Sequence, residues 1–446
     1  MLQMKKRSIL AGSIISALLV GCGGGSSSSS DTPSSIASPN VNGTPSLASV
    51  SAVKATSSSS DIVDCAKAFL DKRSCDLSII QPIGVSGEAV TIEQIEDRLV
   101  VSHQWMADSF IAALREIDDQ DLLNLFKPLN SIVISYDVRP SFYNTATASM
   151  YIDPKYVWRN KTEWDSINQQ DDYRKNFQTE FKFDKAQRYV DQNAYNYVTY
   201  SNSYNAYSNH RRDTEHIAPG LFRLLAHELA HANDFLPPSD LIQTPDSGSI
   251  SSYLGTLQTL NRDLFDREPL TSTALFDAAQ VAFRGKTMTD EVRNLTGEDA
   301  GFEFAGDKAA AFYSYSHPAE DVAMLFEAYM MYKKYNALSD FAFVSIPQTT
   351  NPTCNEWEIQ WGQRSRLSSQ GVQDRAVFVA NRILNKPESE IRLELANLPS
   401  RPSAFVKGKG WCESRQNGVV TYTRSGQGIS GVGANSNTRY LEDFEH

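Results

Sequence analysis

Two histidines four residues apart flank a glutamate within Leu221 to Phe235, which reads L-F-R-L-L-A-H-E-L-A-H-A-N-D-F. On a helix, His227 and His231 stand one above the other, so both imidazoles can reach a single tetrahedral metal ion. Glu228 lies about 100° around that helix from His227, close enough to reach a water on the metal without being a ligand. Zinc lowers the pKa of such a water toward neutrality, and the carboxylate beside it can take the proton as hydroxide attacks a carbonyl. This is the H-E-x-x-H arrangement. The competing reading is a pair of structural histidines, whose burial without partners would be costly.

A catalytic zinc site uses three protein ligands and keeps one position open. An extended motif would need glycine at 234 and histidine at 237, where the chain has Asp234 and Pro237. A glutamate on a later helix is the next candidate, and H-P-A-E-D-V-A-M-L-F-E from His317 to Glu327 offers Glu320. Pro318 suits a first helical turn, and Val322, Leu325, Phe326 and Tyr329 supply an apolar face. His317 reads as a surface or capping residue rather than a ligand. Glu327 reads as a solvated or salt-bridged residue, although its spacing puts it on the face of Glu320. His210 and His216 are expected at the surface.

These residues resemble the glutamate-ligand zincins, and within them the anthrax lethal factor type of catalytic domain. The resemblance rests on two short blocks, H-E-L-A-H-A-N-D-F (His227 to Phe235) and Y-S-Y-S-H-P-A-E-D-V-A-M-L-F (Tyr313 to Phe326). It implies zinc held by His227, His231 and Glu320, with Glu228 as general base. It also implies that Tyr313, seven residues before Glu320, supports the oxyanion, a role for which Tyr315 is the alternative. Peptide substrates of the family lie along an exposed strand edge, for which Ser131 to Val138 or Ala148 to Ile152 are candidates. The chain departs from the family four residues after the ligand, where a second carboxylate is common and Met324 stands. The group that orients a ligand histidine must then come from elsewhere, with Asp234 the first candidate and Asp321 and Glu327 following.

The elements that would position this chemistry are partly legible. Leu221, Phe222, Leu224, Leu225 and Leu229 cover more than half of their helix, which should be largely buried, with Pro219-Gly220 punctuating the chain just before it. Thr91-Ile92-Glu93-Gln94 has the form of a capping box, and apolar spacing through Ile95, Leu99, Trp105, Phe110, Ile111 and Leu114 predicts one or two helices. Ser131 to Val138 alternates as a half-buried strand does, with Ala148 to Ile152 as its partner. Asn193 to His210, dense in Asn, Ser and Tyr, reads as a surface insertion. Gln373 to Leu384 predicts a helix, and Phe405 to Tyr422 predicts strands around Cys412. The fold class is α+β, with the resemblance implying a zincin-like catalytic helix, a small mixed sheet and a second helix carrying the glutamate.

At the N-terminus, Lys5, Lys6 and Arg7 precede an apolar stretch from Ile9 to Val20, the pattern of a secretory signal. Leu19-Val20-Gly21-Cys22 resembles a bacterial lipobox, which implies cleavage before Cys22 and a lipid on it. Gly23 in place of aspartate leans toward the outer membrane of a Gram-negative cell envelope. Of five cysteines, Cys22 is thus set aside. Cys65, Cys75, Cys354 and Cys412 form an even set that favours disulfides in an exported chain. Three connectivities are open, and a local Cys65–Cys75 loop would leave Cys354 with Cys412. The predicted organisation is a signal over 1–21, a lipidated Ser/Gly-rich tether over 22–60, a catalytic domain over 61–345 with insertions at about 183–215 and 237–310, and an extension over 346–446.

The 446 residues are 41% hydrophobic and 21% charged with a formal net charge of -11, which leaves no basic field for nucleic acid. The expected partners are a peptide or protein substrate and, through Cys22, a membrane; oligomeric state stays open. The expected activity is zinc-dependent hydrolysis of peptide bonds. One alternative is a catalytically inactive zinc-binding lipoprotein of the same fold, serving as a binding or scaffold module, which would have no need of Glu228. Another is an envelope scaffold without metal.

Overall fold

Short apolar runs flanked by turns build the first sheet, and strands with polar outer positions build the second. The computed structural model describes residues 43–194, 196–204, 211–349 and 352–415. The signal, Cys22, His210 and residues 416–422 lie outside that range. β1 (Ser51–Ala52), β2 (Leu99–Val101), β3 (Ser131–Ile134), β4 (Phe142–Asn144) and β5 (Ser149–Ile152) form a sheet in the order β1-β2-β3-β5-β4. β2, β3 and β5 run parallel, and the edge strands β1 and β4 are antiparallel to their neighbours. β6 (Phe183–Val190), β7 (Leu338–Ser345), β8 (Ile359–Arg364) and β9 (Ser403–Ala404) form an antiparallel sheet in that order. The chain is therefore a mixed α+β protein, as expected at that level.

The helices that matter for the site are α1 (Ser59–Lys67), α2 (Gln104–Ile117), α3 (Thr214–Phe235), α4 (Leu260–Arg267), α5 (Thr273–Arg284), α6 (Gly297–Gly306), α7 (Pro318–Tyr335) and α8 (Gln370–Leu384). α3 is the central one, packed by α2, α7 and α8 and touching β4 and β5. No helix among the described residues is long and apolar enough to cross a membrane.

Several expectations change. Folded structure begins before Asp61: Leu47 and Val50 are buried and β1 pairs with β2, so part of the stretch expected as tether belongs to the fold. The capping box at Thr91 and Gln94 forms, but a strand, β2, separates its short helix from α2. Three residues are too few for a periodic signal. β3 is buried on both faces: Ile132 and Ile134 join one apolar core and Val133 another. Its apparent polar face misled because Ser131 and Ser149 satisfy each other inside, Oγ to Oγ at 2.8 Å. β5 is its parallel partner.

The supposed insertion at 183–215 opens with β6, which pairs along its full length with β7. Its Arg188 donates to the buried Asp340 of β7, which also accepts from Arg364 of β8. The boundary at 345/346 is likewise no boundary, because β8 continues the same sheet. Around Cys412 the only strand among the described residues is the short β9, just ahead of Phe405. Cys65 pairs with Cys75 and Cys354 with Cys412.

Candidate metal centre

Asp213 starts α3 by accepting the His216 backbone N–H at 3.0 Å. The helix thus begins ahead of Pro219, which sits inside it and not before it. A proline so near the start removes one intrahelical bond while the cap sustains the first turn. From Ile217 to Asp234 every residue but Pro219 is buried, as a helix apolar around most of its girth must be. α7 begins at His317, whose Nδ1 accepts the Ala319 backbone N–H at 3.1 Å, with Pro318 in the first position. Glu320 therefore lies in a first turn, where the helix dipole favours a carboxylate.

The crossing of α3 and α7 brings the predicted ligands together. Glu320 Oε2 stands 3.2 Å from His227 Nε2 and 3.2 Å from His231 Nε2. One ligand atom from each of the three residues falls within 4.8 Å of the others. Two ligands each bonded at about 2 Å to a tetrahedral ion lie roughly 3.3 Å apart, so the spacing suits one. His227, His231 and Glu320 are 1%, 2% and 0% exposed, and neither ring nitrogen of His231 makes a well-aligned hydrogen bond among the described residues. Buried imidazoles aimed at one carboxylate oxygen call for a cation between them. The three residues are a buried group that could hold a metal ion.

The charges agree with this. Burial alone would raise the Glu320 carboxyl, but His231 and His227 hold it well below the usual carboxylate range. Burial works against a charged His227, yet Glu320 and Glu327 outweigh it and bring the imidazole up to about 10. A field that draws a proton there draws a cation as well. Glu228, also buried, has an Oε2 with no hydrogen-bond partner among the described residues. Burial pushes its carboxyl up, against the pull of His227 and His231.

The surrounding groups sort the remaining candidates. The Tyr313 ring stacks on His227 with centroids 6.1 Å apart, whereas Tyr315 is turned away and donates to Asp307 Oδ2 at 3.1 Å. Asp234, the first candidate to orient a histidine, instead accepts the Asn261 backbone and side-chain N–H groups, each at 2.7 Å, and so caps α4. Its carboxyl is pushed by burial up to about 6 despite those bonds. Asp321 is taken by Arg375. Glu327, read as solvated or salt-bridged and as the last candidate to orient a histidine, is fully buried, with Oε2 3.4 Å from His227 Nδ1 and Oε1 4.0 Å from Arg223.

Three neighbours escaped the sequence reading. Arg223 lies 4.0 Å from Glu327, Arg284 lies 4.0 Å from Glu320, and Tyr189 donates to Glu327 Oε1 at 2.8 Å. Arg223 precedes His227 by one helical turn, a spacing that carried a usable signal. Tyr189 on β6 and Arg284 at the end of α5 reach the site through tertiary packing alone. Both strands proposed for substrate, β3 and β5, are interior, and the sheet edge beside α3 is β4. The chain as a whole matches no protein-family model, no curated protein and no solved structure.

Proposed function

We propose that this is a zinc-dependent peptidase of zincin-like fold, held in the bacterial cell envelope by a lipid on Cys22 and hydrolysing peptide bonds of proteins or peptides there. The observation that carries the reading is the convergence of His227 Nε2 and His231 Nε2 on one buried Glu320 oxygen, with buried Glu228 between the histidines in sequence. Zinc, when bound by these three residues, supplies a Lewis acid for the substrate carbonyl and makes a water acidic enough to lose its proton near neutral pH. Glu228 takes that proton and returns it to the leaving amine, a task suited to a carboxyl raised by burial. Tyr313, lying against His227, donates its hydroxyl to the developing oxyanion.

The test is Glu228→Gln in the full chain. Zinc should remain while cleavage of a broad peptide library falls about 10³-fold; undiminished cleavage would remove Glu228 from the mechanism. A catalytically inactive zinc-binding lipoprotein is the second reading, favoured by the near-complete enclosure of the ligands and of Glu228. Zinc in both proteins with cleavage by neither would select it.

A further inference from the structure

A histidine that offers Nε2 to a metal needs its other nitrogen held as a donor, and the acceptor fixes both tautomer and ring orientation. Three carboxylates, Asp234, Asp321 and Glu327, were candidates to do this for His227 or His231, and two of them are engaged elsewhere. Met324, at the position where related sites carry a second carboxylate, has no acceptor oxygen. Asp234 spends both oxygens on Asn261, and Asp321 is bound by Arg375.

Glu327 has a different disposition. It is 0% exposed, and its Oε2 lies 3.4 Å from His227 Nδ1 while making no hydrogen bond elsewhere among the described residues. Its other oxygen accepts the Tyr189 hydroxyl at 2.8 Å and faces the Arg223 guanidinium at 4.0 Å. A wholly buried carboxylate is unfavourable unless its surroundings are arranged for it, and here α3, α7 and β6 each contribute one part of that arrangement. Seven residues are two helical turns, so Glu320 and Glu327 grip His227 from opposite nitrogens while projecting from one face of α7.

We propose that Glu327 is the positioning residue of His227, with the Tyr189 hydroxyl holding Glu327 in turn. The inference rests on the reading of His227, His231 and Glu320 as a zinc centre. It assigns that centre an orienting arm from two turns along α7 and a link to the second sheet.

The experiment measures the zinc dissociation constant of the full chain by competition with a chromogenic chelator, for the parent, Glu327→Gln, Tyr189→Phe and the double variant. Circular dichroism verifies the fold of each. Glu327→Gln should weaken zinc binding about 10- to 100-fold. Tyr189→Phe, which removes a single hydroxyl and leaves the packing, should weaken it roughly threefold to tenfold, the worth of one hydrogen bond. The double variant should be no weaker than Glu327→Gln alone, because Tyr189 acts through Glu327. A folded Glu327→Gln with the parent's affinity overturns the positioning role. If that variant does not fold, parent-like affinity in Tyr189→Phe overturns the link by itself. A folded parent that takes up no zinc overturns the metal centre as well, which separates the two failures.

Discussion

His227 sits between two carboxylates of one helix, Glu320 at Nε2 and Glu327 at Nδ1, all of them buried. Such a stack of desolvated charge is unfavourable unless a cation and well-placed donors complete it, and this is the physical ground for the metal site proposed here. Tyr313 and Tyr315 offer a discriminating pair of variants. Tyr313→Phe should lower kcat about 100-fold with little change in thermal stability, as loss of one oxyanion donor does. Tyr315→Phe should leave kcat near the parent's and cost about 1 kcal/mol of stability, since it removes the bond to Asp307. Steady-state kinetics with thermal unfolding would decide, and equal kcat losses would contradict the assignment. The meeting of His227, His231 and Glu320 was legible because its signal is local: a four-residue histidine spacing and a glutamate just inside a proline-started helix. Glu327 was legible only as the last of three candidates to orient a histidine, because a glutamate on a helix reads as solvated or salt-bridged until Tyr189 and Arg223 arrive from elsewhere in the fold.

At the scale of elements, α3 and α7 carry the ligands and the segment from Asp172 to Phe177 packs against the end of α5. A Cβ on Gly285, whose φ is +64°, would come within 2.9 Å of the Phe177 ring, so glycine both ends α5 and admits the segment. Inside that segment Asp172 and Arg174 form a buried ion pair. Burial would raise the Asp172 carboxyl, but Arg174 outweighs it and holds the group below its ordinary 3.8. The stability this pair contributes is present above that value and is lost as pH falls through the lower folded pKa. Asp172→Asn should therefore destabilise the protein by about 3 kcal/mol at pH 7, with the deficit shrinking in acid. Denaturant unfolding from neutral pH downward would show it, and a deficit independent of pH would contradict it. The long helices α3, α7 and α8 were readable from apolar spacing. β2 was too short to read, β3 hid its second buried face behind the Ser131–Ser149 contact, and β6 hid behind charges that are neutralised only in the fold.

For the molecule as a whole, the region after Ser345 belongs to the site's support. Arg366 donates to the Phe304, Asp307 and Ala309 carbonyls, and Arg375 bonds the Lys308 carbonyl and Asp321. These buried arginines stitch together the stretch that leads to Tyr313 and Glu320. Arg375→Met should cost about 3 kcal/mol by leaving Asp321 buried and uncompensated, and zinc affinity should fall as the first turn of α7 loosens. Thermal unfolding and zinc titration check both, and unchanged values would show the strut to be dispensable. Sequence placed a domain boundary here because pairing between β7 and β8, and arginines reaching back some 60 residues to backbone carbonyls, leave no local pattern. What composition did convey was broader: an acidic chain with five cysteines, of which the four after Cys22 suit two disulfides, both of which form.

The measurement that bears most directly on the proposed zinc centre is elemental analysis of the full chain after exhaustive dialysis, beside Glu320→Gln and His231→Ala, each verified as folded. About one zinc ion per parent chain, and far less in either variant, is the predicted result. A folded parent free of zinc, or variants that keep the parent's full complement, would contradict the account.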